Sequence, residues 1–202
     1  IQQREIPYWH PTDELPAGHN TRQPLRSHGV SNVHHFFTSR NLWILAAIWD
    51  RIADIGYSRI GSKLAFSFTA MLARASKMYR WNASRPTGPL PGTLYIPSLG
   101  YEFDPISMFE RRIRSTARLI KRQHSLEGGG ASVTTQSATT VPNVTDQSVD
   151  YAFTDPPFGD NLMYSELNFL WEAWLRAFTD NTREAIMNAA QGKDLDDYRG
   201  LM

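Results

Sequence analysis

Apolar positions recur at helical spacing in several stretches of this chain. Leu42, Leu45, Ala46, Trp49 and Ile52 fall three or four residues apart, the period of an amphipathic helix. Thr38 or Ser39 can cap its start, and Gly56 ends the run. A second helix is predicted from Ser62 to Tyr79, with Leu64, Phe68, Met71, Leu72 and Ala75 on one face. Asp104-Pro105 opens a third, with Asp at the cap and Pro in the first turn. It carries Ile106, Phe109, Ile113, Ala117 and Ile120 inward and stops at Gly128-Gly129-Gly130. A further helix is predicted from Tyr164 to Phe178, followed by shorter helical pieces. Its Trp171 and Trp174 read as core, because aromatic stripes at helical spacing usually pack inward.

Shorter apolar runs predict strands. Thr93-Leu94-Tyr95-Ile96 is one candidate, residues 131–135 a second and residues 149–154 a third. Residues 1–37 carry Pro7, Pro11, Pro16 and Pro24, a density that argues against a long helix. Their interleaved aromatics and histidines predict a structured loop region packed on something, since disordered segments are poor in aromatics. No internal repeat is visible. Helix, strand, strand and helix in this order predict an α/β layer architecture.

Composition narrows the function classes. At 202 residues the chain is one domain or part of a larger one. A formal net charge of +1 excludes a dominant polybasic or acidic tail. The absence of cysteine excludes disulfides, thiolate zinc sites and cysteine nucleophiles. No run approaches the roughly 18 apolar residues of a membrane span, so no membrane partner is expected; the lack of cysteine fits the cytoplasmic location that is expected. The chain begins at Ile1 and ends at Gly200-Leu201-Met202; both ends read as cut.

The chemistry concentrates at residues 149–160. An apolar run leads into Thr154-Asp155-Pro156-Pro157-Phe158-Gly159-Asp160. In open α/β sheets ligands bind at the carboxyl ends of strands, where Asp155 would sit. The prolines remove two N–H donors and leave a carboxylate and carbonyl oxygens beside an aromatic ring. That set suits a planar group with an exocyclic amine. Asp155 and the Pro156 carbonyl accept from the amine, and Phe158 stacks on the ring. Two acceptors draw the nitrogen towards tetrahedral geometry and free its lone pair.

Asp155-Pro156-Pro157-Phe158 resembles the Asp-Pro-Pro-Tyr/Phe motif of S-adenosylmethionine-dependent amino-methyltransferases, the Asp in particular that of adenine-specific DNA enzymes. The approach from Pro142, the continuation to Leu167, and the blocks Ile6–Trp9 and His34–Leu42 resemble large bacterial DNA methylases of restriction-modification and defence loci. The resemblance implies a partial Rossmann-like methyltransferase sheet with added helices. It implies methyl transfer from S-adenosylmethionine to the exocyclic amine of a flipped adenine, with Asp155, Pro156, Pro157 and Phe158 as the catalytic motif. DNA, the cofactor and a restriction or defence-system component are the partners so implied. Residues 1–125 then form a loop-rich helical region, and residues 126–202 part of the catalytic domain.

The Gly-rich cofactor turn of such enzymes has no counterpart: Gly56 and Gly61 fall between two helices, and Ser137 or Thr139 stands where an acidic residue is usual. The isolated chain is therefore expected to bind the cofactor weakly and to be inactive, and no cofactor-binding residue is assigned. The alternatives are an RNA amino-methyltransferase, or a non-catalytic DNA-binding or assembly fragment in which the motif is structural. The third helix has a basic outer face of Arg111, Arg112, Arg114, Arg118, Lys121 and Arg122. Arg111, Arg114, Arg118 and Arg122 are the nucleic-acid-binding candidates, against a merely solvated face. Tyr164, Glu166 and Asn168 either line the site or serve the helix. His10, Asp13, His34 and His35 do not have the spacing of a metal site, and no metal is expected.

Overall fold

The computed structural model describes residues 5–84, 87–123, 130–134, 136–137 and 140–202. Eight α-helices form among them: α1 (His19–His28), α2 (Ser39–Ile55), α3 (Arg59–Thr69), α4 (Leu72–Ala75), α5 (Pro105–Gln123), α6 (Tyr164–Leu167), α7 (Phe169–Leu175) and α8 (Leu195–Leu201). Short 3-10 turns lie at Val33–Phe36, Asn181–Arg183 and Ala189–Gln191. Helix α2 packs on α3 and α5, and α3 packs on α5.

The start and stop signals of α2 and α5 act as their chemistry dictates. The Thr38 hydroxyl accepts from the Asn41 amide at 3.2 Å, and Gly56 closes α2 at φ 70°, a left-handed conformation that glycine tolerates best. Asp104 accepts from the Ile106 and Ser107 amides at 3.1 and 3.0 Å. These bonds satisfy donors at the first turn of α5 that have no helical partner.

Trp174 is the centre of the core. It is fully buried and meets Trp9, Phe37, Trp49 and Phe68 edge to face, at ring-centroid distances of 6.0, 6.2, 6.1 and 5.1 Å. Burying a ring of that size is worth about 4–6 kcal/mol, from roughly 150–250 Å² at ~25 cal/mol/Å². Leu45, Phe68, Met71, Leu72 and Leu170 complete the surrounding apolar layer. Helix α7 thereby docks on the hydrophobic faces of α2 and α3.

The expected α/β architecture is not what forms. No strand exists among the described residues, and β-pairing is limited to isolated bridges such as Glu14 with Asn32 and Arg80 with Gly100. The partial Rossmann-like sheet is therefore replaced by a helical fold. Residues 149–154 do alternate as a strand should, but Val149, Tyr151 and Phe153 are 57, 79 and 81% exposed. No described group bonds the backbone N–H of residues 149–155. A strand needs a neighbour to satisfy those donors, and none is packed there. Residues 131–134 also form no strand; Thr135, Thr139, Gly128 and Gly129 lie outside the described residues.

Residues 93–96 are not a strand either, yet Leu94 and Ile96 are buried. The Gln23 side chain takes the place of a neighbouring strand. Its Oε1 accepts from the Ile96 amide at 3.1 Å, and its Nε2 donates to the Ile96 carbonyl at 3.1 Å. Gln23 sits on α1, a helix formed inside the segment expected to be loop, with Pro24 within it.

Two expected helices are interrupted. The helix predicted over 62–79 starts earlier and breaks after Thr69, whose carbonyl accepts from the Trp171 indole at 3.0 Å. The helix predicted over 164–178 divides into α6 and α7 and ends at Arg176, in left-handed conformation. On α5, Ile106 is half exposed and Met108 is buried in its stead.

Candidate functional site

The motif at 155–158 stands at the surface. Asp155 is exposed, Pro156 and Pro157 are half-buried, and Phe158 is 69% exposed. The Tyr198 hydroxyl donates to the Pro157 carbonyl at 2.9 Å, the Asn161 amide to the Phe158 carbonyl at 2.9 Å, and the Met187 amide to the Gly159 carbonyl at 2.9 Å. These bonds pin the carbonyl end of the motif to the segments that follow it.

The resemblance to amino-methyltransferases implies Asp155 at the end of a sheet strand, beside a cofactor bound on that sheet. Neither strand nor sheet exists among the described residues. S-adenosylmethionine-dependent DNA methylation, the methyltransferase assignment and the cofactor itself are thus set aside for this fold. So is the RNA variant, which needs the same sheet.

Glu166, expected either in that pocket or in capping, is a capping group, but for a distant helix. It is 1% exposed. One oxygen accepts from the Asn20 amide at 2.8 Å and from Asn20 Nδ2 at 3.2 Å; the other accepts from Asn188 Nδ2 at 2.8 Å. Gly18 leaves α1 with no side-chain cap of its own. The carboxylate of Glu166 fills that role at the positive end of the helix. Ser165 beside it is held by Glu184, which accepts from its amide at 2.9 Å and its hydroxyl at 2.6 Å. Tyr164 and Asn168 are exposed.

His10, His34 and His35 do come together, with ring centroids of His34 at 6.2 Å from His10 and 4.2 Å from His35. Burial, then the charges of His35 and His10, hold the His34 imidazole below its ordinary pKa. No group of three or more His, Cys, Asp or Glu among the described residues is placed to hold a metal ion.

The basic face of α5 is the remaining candidate, and it is the one that the helix geometry assembles. Arg111, Arg114, Arg118 and Lys121 line one surface hollow of about 610 Å³ together with Ala117. Arg122, the fourth expected residue, is not on the lining of this hollow, which Lys121 shares. At 1.5 Å rise per residue the stripe from 111 to 121 is about 15 Å long. The acidic residue on α5 itself is Glu110, which pairs with Arg114 at 3.3 Å across an exposed turn. Exposed pairs of this kind contribute about 0–1 kcal/mol, so Arg114 can exchange that partner for another anion. Ala117 also lines the adjoining groove between α3 and α5, which adds Arg59 and Lys63. That groove is braced by a hydrogen bond of 2.8 Å between the Ser67 and Thr116 hydroxyls. Six basic residues against a single acidic one on α5, in a chain of net charge +1, make the positive field local.

No helix among the described residues is long and apolar enough to cross a membrane. In comparisons with known proteins, no family model, no curated protein and no solved structure matches this chain.

Proposed function

We propose that this chain is a DNA-docking module that holds the phosphate backbone on the basic stripe of α5. The observation that carries the reading is the gathering of Arg111, Arg114, Arg118 and Lys121 around one hollow, with Arg59 and Lys63 on the groove beside it. A stripe about 15 Å long is comparable with the ~12 Å width of a B-DNA major groove, so its two ends reach phosphates on both rims. The contacts are to backbone, which positions a protein without reading sequence. On this reading the module works in the cytoplasm and performs no chemistry itself.

Fluorescence anisotropy with a 20-base-pair duplex, titrated over salt, tests it. Four phosphate contacts give a slope of log K against log salt of about −3.6. Arg118→Ala should lower that slope by about 0.9, and replacing all four residues by Ala should abolish binding. A quadruple variant that binds as tightly as the parent, with an unchanged slope, would refute the proposal.

A further inference from the structure

A second cavity has a different character. It lies between α2, α3 and the end of α7, and measures about 580 Å³, within the roughly 300–1,000 Å³ range of small-ligand sites. It shares no lining residue with the basic hollow. Trp9, Trp49 and Phe66 provide aromatic walls; Trp174 also belongs to the lining but is itself fully buried. Gly61 sets the entry of α3: a Cβ there would stand 2.0 Å from the Gly56 carbonyl oxygen. No larger residue allows α3 to start so close to the end of α2.

Two charged side chains face this cavity, Asp50 on α2 and Arg176 after α7. No ion pair joins them, and neither pairs with another described residue. Arg176 occupies the left-handed region at φ 53°, at a helix end where glycine is commonest. A side chain is strained there, and strained positions gather at functional sites. Its guanidinium lies 3.8 Å from the centre of the Trp9 ring. Its N–H groups have no acceptor among the described residues. Arg176 is exposed and Asp50 half-buried, so the cavity offers a ligand one guanidinium and one carboxylate that no other described side chain takes up.

We propose that this cavity binds a flat aromatic acid. The ring lies between the tryptophan walls, the anionic group meets the Arg176 guanidinium, and a ring N–H meets Asp50. Arginine suits the anion because its planar fork matches a carboxylate with two parallel bonds. The proposal is independent of DNA binding.

Isothermal titration with indole-3-acetate as probe tests it, with tryptamine as the cationic counterpart of similar shape. Indole-3-acetate should bind, and at least tenfold more tightly than tryptamine. Arg176→Gln should weaken the acid at least tenfold and remove the preference between the two. Arg176→Gly relieves the backbone strain, so it keeps the fold while removing the guanidinium, and it should behave as Arg176→Gln does. Asp50→Asn should change the acid's affinity less than Arg176→Gln does. Equal binding of the two probes, a preference for tryptamine, no binding of the acid at millimolar concentration, or unchanged binding in Arg176→Gly would each overturn the proposal.

Discussion

Replacing Glu166 by alanine should destabilise the protein more than any other change of one charged residue, and the cost can be worked from its contacts. The carboxylate is 1% exposed and accepts from the Asn20 amide, Asn20 Nδ2 and Asn188 Nδ2. Alanine leaves those donors without their acceptor and uncaps α1. Each unsatisfied buried donor costs about 1–3 kcal/mol; the Asn20 amide is the lost cap itself, at about 1 kcal/mol. Partial access of water to Asn20 trims the sum to about 3–5 kcal/mol. Glu166→Gln keeps the shape but turns a donor towards one of the two asparagines, at a cost of about 1–3 kcal/mol.

Gly18 supplies an independent check. Its φ of −176° is ordinary extended backbone, so alanine there is not strained, but the added Cβ would lie 2.1 Å from Glu166 Cδ and Oε1. Gly18→Ala should therefore displace the carboxylate and cost about as much as Glu166→Gln. In the Glu166→Ala background the space is open, and the same substitution should cost almost nothing. Urea denaturation of the four proteins gives the coupling, expected at about 1–3 kcal/mol. Thermal midpoints should fall by about 2–4 °C per kcal/mol for a chain of this size. A Glu166→Ala protein within about 0.5 kcal/mol of the parent, or additive effects in the cycle, would show that the carboxylate does not hold α1.

Asn41 is buried and its Nδ2 donates to the Ala75 and Phe103 carbonyls at 2.9 and 3.1 Å; Asn41→Ala should cost about 2–4 kcal/mol in urea denaturation, from two stranded carbonyls. Trp171→Phe removes the indole bond to the Thr69 carbonyl and should cost about 0.5–1.5 kcal/mol, with faster amide exchange confined to the end of α3. The lowered pKa of His34 means that the unfolded chain binds more protons than the folded one below about pH 6.5. Its contribution is fully present above that pH and is lost as pH falls towards the folded value. Stability measured from pH 7 to pH 5 should decline, and His34→Gln should flatten the decline; an equal slope in both proteins would contradict the assignment.

The parts of the fold legible in the sequence were those with local causes. Thr38, Gly56, Asp104 and Pro105 start and stop helices with groups one to three residues away, and α2 and α5 begin where those residues stand. Trp174 was placed in the core by its spacing and is there. What was missed has its cause far along the chain. The cap of α1 comes from Glu166, 146 positions from Asn20. The break after α3 involves Trp171, 102 positions from Thr69. Alternation at 149–154 gives half of a strand; the other half is a neighbour, which no periodicity reveals. The Asp-Pro-Pro-Phe run took its meaning from a sheet that does not form among the described residues. The arginine stripe depends only on helical geometry, and Arg111, Arg114 and Arg118 line one hollow with Lys121.

The position of Trp174 also sets a schedule. The rings it closes belong to Trp9, Phe37, Trp49 and Phe68, all made long before it. At roughly 5–20 residues per second, a ribosome needs about 5–20 s to go from Phe68 to Trp174. Throughout that interval α2 and α3 must wait with their shared aromatic face open. Contacts so distant in sequence also slow folding once the chain is complete. During synthesis the nascent chain thus exposes the same aromatic surface that makes the finished core cohesive, and anything that binds such surfaces has seconds in which to find it.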